Sequence, residues 1–275
     1  MLIQREFYVM DHLFILDFKR FTDDLAISCV VEKNLFFFQD SSLLIVLRAL
    51  NGEQMLEKKD FLFKEKVKKE IIIDQDLWFN RKEIIIGRLK SLLGLGKRVF
   101  ARKCILKKID SSHAIEFFDS NHLLGGAKCK FNYGLYYNSE LIAAASFSSP
   151  RQMKRGEEYV WSFEWVRYAP LIGYNVVGGI SRLLEYFKSS ENPQEIMSYA
   201  SKDWSEGDVY RKLGFLLVEE TKPIKFYINS RTFERISEKQ KERLLLSNPS
   251  ILCEHKDQYI ELFNNGNLKF LLRIF

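Results

Sequence analysis

No Cys-x-x-Cys pair occurs in this 275-residue chain; Cys29, Cys104, Cys129 and Cys253 are scattered along it. That spacing excludes a zinc ribbon and a disulfide framework, and it suits a reducing cytoplasm. The four histidines are equally dispersed, so no structural zinc or other metal is expected. No apolar run reaches the roughly 18 residues of a membrane span. The opening MLIQREFYVMDHLF carries Asp11 early and lacks a small-residue cleavage site, so a secretory leader is not expected. Internal repeats and low-complexity tracts are absent as well.

What remains is the composition of a packed, folded protein, with 47% hydrophobic and 28% charged residues. The length fits two domains. Lysine and arginine exceed aspartate and glutamate, 42 to 36, for a net charge of +6, which modestly favours a polyanionic partner. The cations cluster. Lys58, Lys59, Lys64, Lys66, Lys68 and Lys69 crowd one segment; Lys97, Arg98, Arg102, Lys103, Lys107 and Lys108 crowd another. The second set is the expected contact for nucleic acid, weak and salt-sensitive; simple solvation of the same charges is the alternative. Most of the 23 phenylalanines belong to the core rather than to base-stacking platforms.

Residues 1–50 read as several strands, FYVMDHLFILDF, LAISCVV, NLFFFQ and SLLIVLRAL, separated by polar breaks. Residues 53–69 are charged and helix-prone, and Glu70–Asp74 reads as a buried strand. Ile85, Leu89, Leu92 and Leu93 share a face of a helix over 80–93 that Gly94 would stop. A linker near Gly94-Leu95-Gly96 divides the chain, giving expected domains 1–96, 97–229 and 230–275. VFARKCILKKI reads as one strand, and Ser111 or Ser112 caps a helix through Phe118. A hairpin turns at Asn138-Ser139, and Tyr159–Tyr168 is a long aromatic strand. Gly178 and Gly179 then open an amphipathic helix whose Ile180, Leu183, Leu184 and Phe187 recur at i, i+3, i+4, i+7. Beyond it come a strand at Ile224–Ile228, a charged helix at 237–246 and a turn at Asn265-Gly266.

The order strand, glycine turn, helix, strand, small helix and Tyr210-Arg-Lys-Leu-Gly-Phe215 resembles the second half of the GNAT acyltransferase fold. From about residue 70 onward the chain also resembles the C-terminal part of a phage and bacterial family called homing-endonuclease-like. The pieces that carry this are IIIDQDLWFNRKEIIIGRLKSLLG, VFARKC, FFDSNHLLGG, YGLYYNSELIAAASF, VVGGISRLLEYF, SYASKDWSEGDVYRKLGF, KPIKFYI and GNLKF. The resemblance implies an α+β fold: a GNAT-like mixed sheet with flanking helices, preceded by a small strand-rich α/β nuclease-like domain. It implies a nucleic-acid-associated protein without efficient nuclease activity. The alternative is an acyl-CoA-dependent N-acyltransferase; only then would a cofactor, acyl-CoA, be expected.

A nuclease of the restriction type needs clustered carboxylates and a lysine to hold Mg²⁺ and activate water. Asp40 could stand for the first acid, but Arg48 occupies the neighbourhood of the second, and the only literal D-x-K is Asp17-Phe18-Lys19. For the alternative, the resemblance carries Val177, Gly178, Gly179 and Ser181 over as a pyrophosphate cradle. Asn175 and Ile180 depart from the family's Q/R-x-x-G-x-G/A pattern, and a β-branched residue at 180 would crowd phosphates. Tyr210 matches the family's general acid, and burial of apolar surface under the sheet is an equally natural role for it; Glu164 lies on the aromatic strand, where some members of the family place a general base. Asn121, His122, Arg167, Asp203 and Trp204 match further polar positions of the homing-endonuclease-like family, with ligand contact, capping and core packing all open.

Overall fold

A computed structural model of the chain describes residues 2–50, 61–247 and 259–274. Two compact units form, and neither is continuous in sequence. The first comprises Met1–Lys82, Ser201–Glu206 and Lys222–Asn267; the second comprises Glu83–Ala200, Gly207–Thr221 and Leu268–Phe275. The units interleave instead of following the expected boundaries 1–96, 97–229 and 230–275. The reason is topological: the last strand returns into the large sheet, making residues 222–267 an insertion between two neighbouring strands.

The first unit opens with α1 (Leu2–Asp24), where strands were expected. Phe14, Phe18 and Phe21 fall at i, i+4, i+7 and are all buried, with Phe18 edge-on to Trp78 at 5.0 Å. Three-residue-plus spacing of the largest side chains outweighs the local alternation. A four-stranded sheet follows in the order β1 (Cys29–Glu32), β2 (Leu35–Phe38), β3 (Leu43–Arg48), β4 (Lys69–Asp74). β3 and β4 run parallel, and every residue of β2 is buried. The helix expected over 53–69 falls partly outside the described residues, and Lys64–Lys66 forms only a single 3-10 turn. A second, antiparallel sheet joins β15 (Arg235–Ser237), β14 (Lys225–Asn229) and β16 (Tyr259–Phe263), with α6 (Glu238–Ser247) following β15.

α2 (Gln75–Leu92) contributes to the second unit from Glu83 onward, and Gly94 stops it with φ +78°. VFARKCILKKI is not one strand. β5 (Lys97–Phe100) and β6 (Ile105–Lys108) are separated by a turn over Ala101–Lys103. The Arg182 guanidinium satisfies the Ala101 and Cys104 carbonyls there, so the backbone turns inward without a strand partner. α3 (Ser111–Asn121) is capped by Asp110, which accepts from His113 N at 2.8 Å. The hairpin of β7 (Phe131–Tyr137) and β8 (Glu140–Phe147) turns at Asn138 and Ser139, both at positive φ as a tight hairpin requires.

β9 (Arg151–Arg155) pairs the start of β10 (Glu158–Pro170). β11 (Tyr174–Val177), α4 (Gly179–Glu191), β12 (Glu195–Ser201), α5 (Asp208–Lys212), β13 (Leu216–Glu220) and β17 (Asn267–Arg273) complete the unit. The sheet runs β13-β17-β12-β10-β8-β7-β6, with β9 off its path, while β11 pairs β5 separately. This is the expected α+β class, a large mixed sheet with flanking helices. Leu183, Leu184 and Phe187 of α4 are buried in the core, where the Phe187 and Phe147 rings stack at 3.8 Å. Burying side chains of this size contributes about 1.5–3 kcal/mol each.

Candidate active site

The large sheet opens along one seam. β10 and β12 pair in parallel only from Ser162↔Glu195 to Trp165↔Ser198, although β10 continues to Pro170 and β12 to Ser201. On its other edge β10 stays bonded to β8 as far as Pro170↔Ala143. Trp165 and Arg167 oppose consecutive residues Phe147 and Ser146, so Val166 bulges where the strands part. Ser198 Oγ sits at this fork, 2.9 Å from both the Trp165 carbonyl oxygen and Tyr210 Oη. The carbonyl can only accept, so it takes the Ser198 proton and leaves the Tyr210 hydroxyl to donate to Oγ. Burial raises the Tyr210 pKa above that of an ordinary phenol. Its ring stacks on Phe270 at 5.0 Å and meets Trp165 and Phe215 edge-on.

The glycine turn has the expected form. Gly178 adopts φ +74° between β11 and α4, and no side chain caps the helix. Its first-turn N–H groups therefore lack partners within the helix. A Cβ on Gly179 would lie 2.9 Å from Tyr168 Oη and from Val176 Cγ1, so glycine is required by close packing. Ile180 packs against the core; its branched side chain is directed inward and does not crowd the turn. Val177, Gly178 and Ser181 line a groove of about 530 Å³ with Phe100, Arg102 and Glu185.

A second polar group gathers in the same unit. Arg167 Nε donates to the Gly125 carbonyl at 2.9 Å, and Gly125 N donates to the His122 carbonyl at 2.8 Å. His122 Nδ1 accepts from Leu124 N at 3.1 Å, so its free hydrogen is on Nε2. Burial, then the positive Arg167 and Arg88, push the His122 pKa down to about 3. Burial also lowers Arg167, against the opposing charge of Glu164, and lowers Arg88 to about 10, with Tyr210 acting in the opposite sense. Glu164, the expected base, thus stands in the field of Arg167. Sequence reasoning missed Arg88 and Ser198. For Arg88 the signal was present: a cation three and four residues beyond Ile85 and Ile84, both on the buried face of α2. Asn121 is structural, bonding Phe117 O and accepting from Ile172 N at 2.8 Å.

Asp203 and Trp204 belong to the first unit, apart from these residues in sequence order and in unit. Trp204 is a core residue, 7% exposed. Asp203 joins a buried charge cluster at the end of β4. Arg48 Nε bonds Asp74 at 2.6 Å and its Nη2 reaches Asp203 at 3.8 Å; Arg235 bridges Asp74 at 2.6 Å and Asp76 at 2.7 Å. Two guanidinium groups thus occupy the space a cation would take among these carboxylates. Asp40 lies exposed in the turn between β2 and β3. Asp17 binds Trp78 and Lys82, while Lys19 pairs outward with Asp23, so the D-x-K tripeptide is two separate helix contacts. Among the described residues no group of three or more His, Cys, Asp or Glu could hold a metal ion, and no helix is long and apolar enough to cross a membrane.

The basic stretch is dispersed over two strands and a turn. Lys97 lies over the Tyr174 ring, Arg98 and Arg102 over Phe100, Lys107 over Tyr136 and Lys108 over Tyr133 with Glu191 at 3.7 Å. Lys103 is exposed in the turn. A single strand over VFARKCILKKI would set Arg102 with Lys108 on one face and Lys103 with Lys107 on the other; the turn at Ala101–Lys103 breaks that alternation.

No family model matches the chain, and no curated protein matches it. Solved structures do. It is similar to a Bacillus subtilis acetyltransferase in complex with CoA, at 12% identity and TM-score 0.35, covering 63% of this chain and 100% of that one. A GNAT family acetyltransferase from Elizabethkingia anophelis with acetyl-CoA bound gives 12% identity and TM-score 0.35, covering 62% and 99%. The NatC complex bound to Gag peptide and CoA gives 10% identity and TM-score 0.36, covering 63% and 99%. None of these is named as a nuclease. The reading as a nucleic-acid-associated relative of homing-endonuclease-like proteins is corrected: Arg48 and Arg235 fill the acid cluster, and the basic stretch is dispersed over two strands and a turn.

Proposed function

We propose that the second unit is an acyl-CoA-dependent N-acyltransferase of GNAT type. The observation that carries this is the fork: β10 and β12 part after Trp165 and Ser198, and Tyr210 hangs at that point through Ser198. A narrow arm can lie between diverging strands because their facing edges are not bonded to each other. The glycine turn fits the other end of such a ligand. Gly178 at positive φ and the uncapped first turn of α4 offer backbone N–H groups to phosphate oxygens, with Val177 and Ser181 beside them and Gly179 keeping the turn close-packed. Arg102 adds a cation to the same groove.

Acyl-CoA, when bound, supplies an acyl group activated as a thioester. Tyr210 stays protonated because burial raises its pKa, and its Oη proton, which rests on Ser198 Oγ, would pass to a departing thiolate. Ser198 orients that hydroxyl. Val166, bulged out of the ladder, presents backbone to the opening where an acyl oxygen needs a donor. Glu164 would accept the proton of the attacking amine.

Calorimetric titration with CoA tests the reading. Binding is expected for the unmutated protein and lost in Gly179→Arg, whose fold is checked by circular dichroism. Tyr210→Phe should bind CoA unchanged while acetyl transfer falls about 10²–10⁴-fold, the range of general acid catalysis. No CoA binding by the unmutated protein would remove the proposal.

A further inference from the structure

We infer that the outer edge of β13 docks a second copy of this chain, antiparallel, across a two-fold axis. The large sheet has two ends, β13 and β6. A strand at the end of a sheet carries unpaired backbone groups along one side, and natural edges are guarded by charges, especially lysine. β6 is guarded: exposed Lys107 and Lys108 follow Ile105 along it, and exposed Lys103 stands in the turn before it. β13 is not. Its Leu216, Leu217 and Val218 are 70%, 38% and 50% exposed. Among the described residues no strand pairs the outer edge of β13.

The apolar surface reaches round the strand. Leu216 pairs Leu271 of β17 and Leu217 pairs Phe270, so these two leucines point to opposite faces of the sheet. The register then slips before Glu219 meets Lys269, and Val218 is the extra residue. Such a bulge twists an edge and confines regular pairing to the residues on either side of it. It does not remove the apolar surface here, because the bulged residue is itself a valine. Contact across the two-fold is therefore mainly between side chains, with Leu216 and Val218 of each copy packed on those of the other. An exposed apolar patch of this kind marks an interaction surface.

Charge selects the occupant and its direction. The segment Lys212-Leu-Gly-Phe-Leu-Leu-Val-Glu-Glu220 has a cation at one end and two anions at the other. Laid antiparallel on itself about Val218, it brings Glu220 of each copy opposite Leu216 of the other, on the side from which Lys212 approaches. Lys212 and Glu220 are both exposed. A parallel copy would set lysine beside lysine and glutamate beside glutamate, and like charges opposite one another destabilise a strand pair. Apolar residues thus match at the centre and opposite charges at the ends. That is the self-complementarity an isologous contact requires.

Sedimentation velocity on the full chain reads the oligomeric state. A dimer is expected, and Leu216→Lys and Val218→Lys should each weaken it by at least about 10-fold. Both side chains are exposed, so the fold should survive, and circular dichroism checks that. Ile105→Lys, on the guarded edge, should leave the dimer unchanged; a loss there would move the contact to β6 and overturn the inference. Lys212→Glu and Glu220→Lys should each weaken self-association. An equimolar mixture of these two variants should restore it, because each chain then meets opposite charges across the contact. A change confined to one chain gives no such rescue, and its absence overturns the antiparallel arrangement. A monomer at every concentration up to about 100 μM overturns the inference and leaves the edge to a different partner. A dimer indifferent to Leu216→Lys and Val218→Lys overturns it too, since the copies would then meet elsewhere.

Discussion

Arg235 holds two buried carboxylates, and its removal gives the sharpest test of the first unit. Its guanidinium makes 2.6–2.7 Å contacts to Asp74 and Asp76, whose side chains are 3% and 1% exposed. Arg235→Met keeps much of the volume and deletes the charge. Asp74 retains Arg48 at 2.6 Å, while Asp76 is left as the group most in need of a partner. Removing one member of a buried ion pair costs about 3–5 kcal/mol, mostly because the other charge remains desolvated. The pH dependence follows from Asp76. Burial already raises its pKa, the charge of Asp74 adds to that, and Arg235 opposes both. Without Arg235 the folded-state pKa climbs further above the unfolded value. The folded variant then takes up a proton more readily than the unfolded chain, so the penalty is full at pH 7 and shrinks as pH falls through the raised pKa. Urea denaturation at pH 7 and pH 5 measures this. Asp76→Asn in the Arg235→Met background should recover part of the loss at pH 7. A loss below about 1 kcal/mol at pH 7, or one that grows on acidification, would refute the reasoning.

Two further outcomes follow from the second unit. His122 is held at about 3, below the ordinary value of about 6.5, so its contribution to stability is present above pH 6.5 and is lost as pH falls. Between pH 7 and pH 5 that amounts to about 2 kcal/mol, and His122→Gln should flatten this part of the stability profile; parallel profiles for the two proteins would contradict it. Gly207 begins α5 at φ +83°, and a Cβ there would overlap the Phe270 ring that stacks on Tyr210. Gly207→Ala should therefore destabilise by about 2–4 kcal/mol in thermal or urea unfolding; a neutral variant would show that Phe270 gives way freely.

Local chemistry made part of this protein legible in its sequence. The glycine pair at 178–179, the i, i+3, i+4, i+7 stripe of α4, the stop at Gly94 and the turn at Asn138-Ser139 all hold, because each depends on backbone conformation over a few residues. The N-terminal helix was misread because FYVMDHLFILDF is apolar enough to satisfy both periods, and only packing of Phe14, Phe18 and Phe21 against their neighbours decides between them. Ile180 shows the same limit at the level of one side chain: its identity indicated crowding of the turn, but its rotation about the α4 axis sends it inward. Strand order was beyond reach for a different reason. β17 lies next to β12 and β13 after an excursion of more than forty residues through the first unit, and hydrogen bonding between distant strands leaves no trace in local pattern. The same long-range placement fills the aspartate cluster with Arg48 and Arg235, and brings Arg167 and Arg88 into the field of His122. Sequence determined the pieces and their turns; tertiary structure alone decided which charges meet, because electrostatic partners are chosen by distance in space.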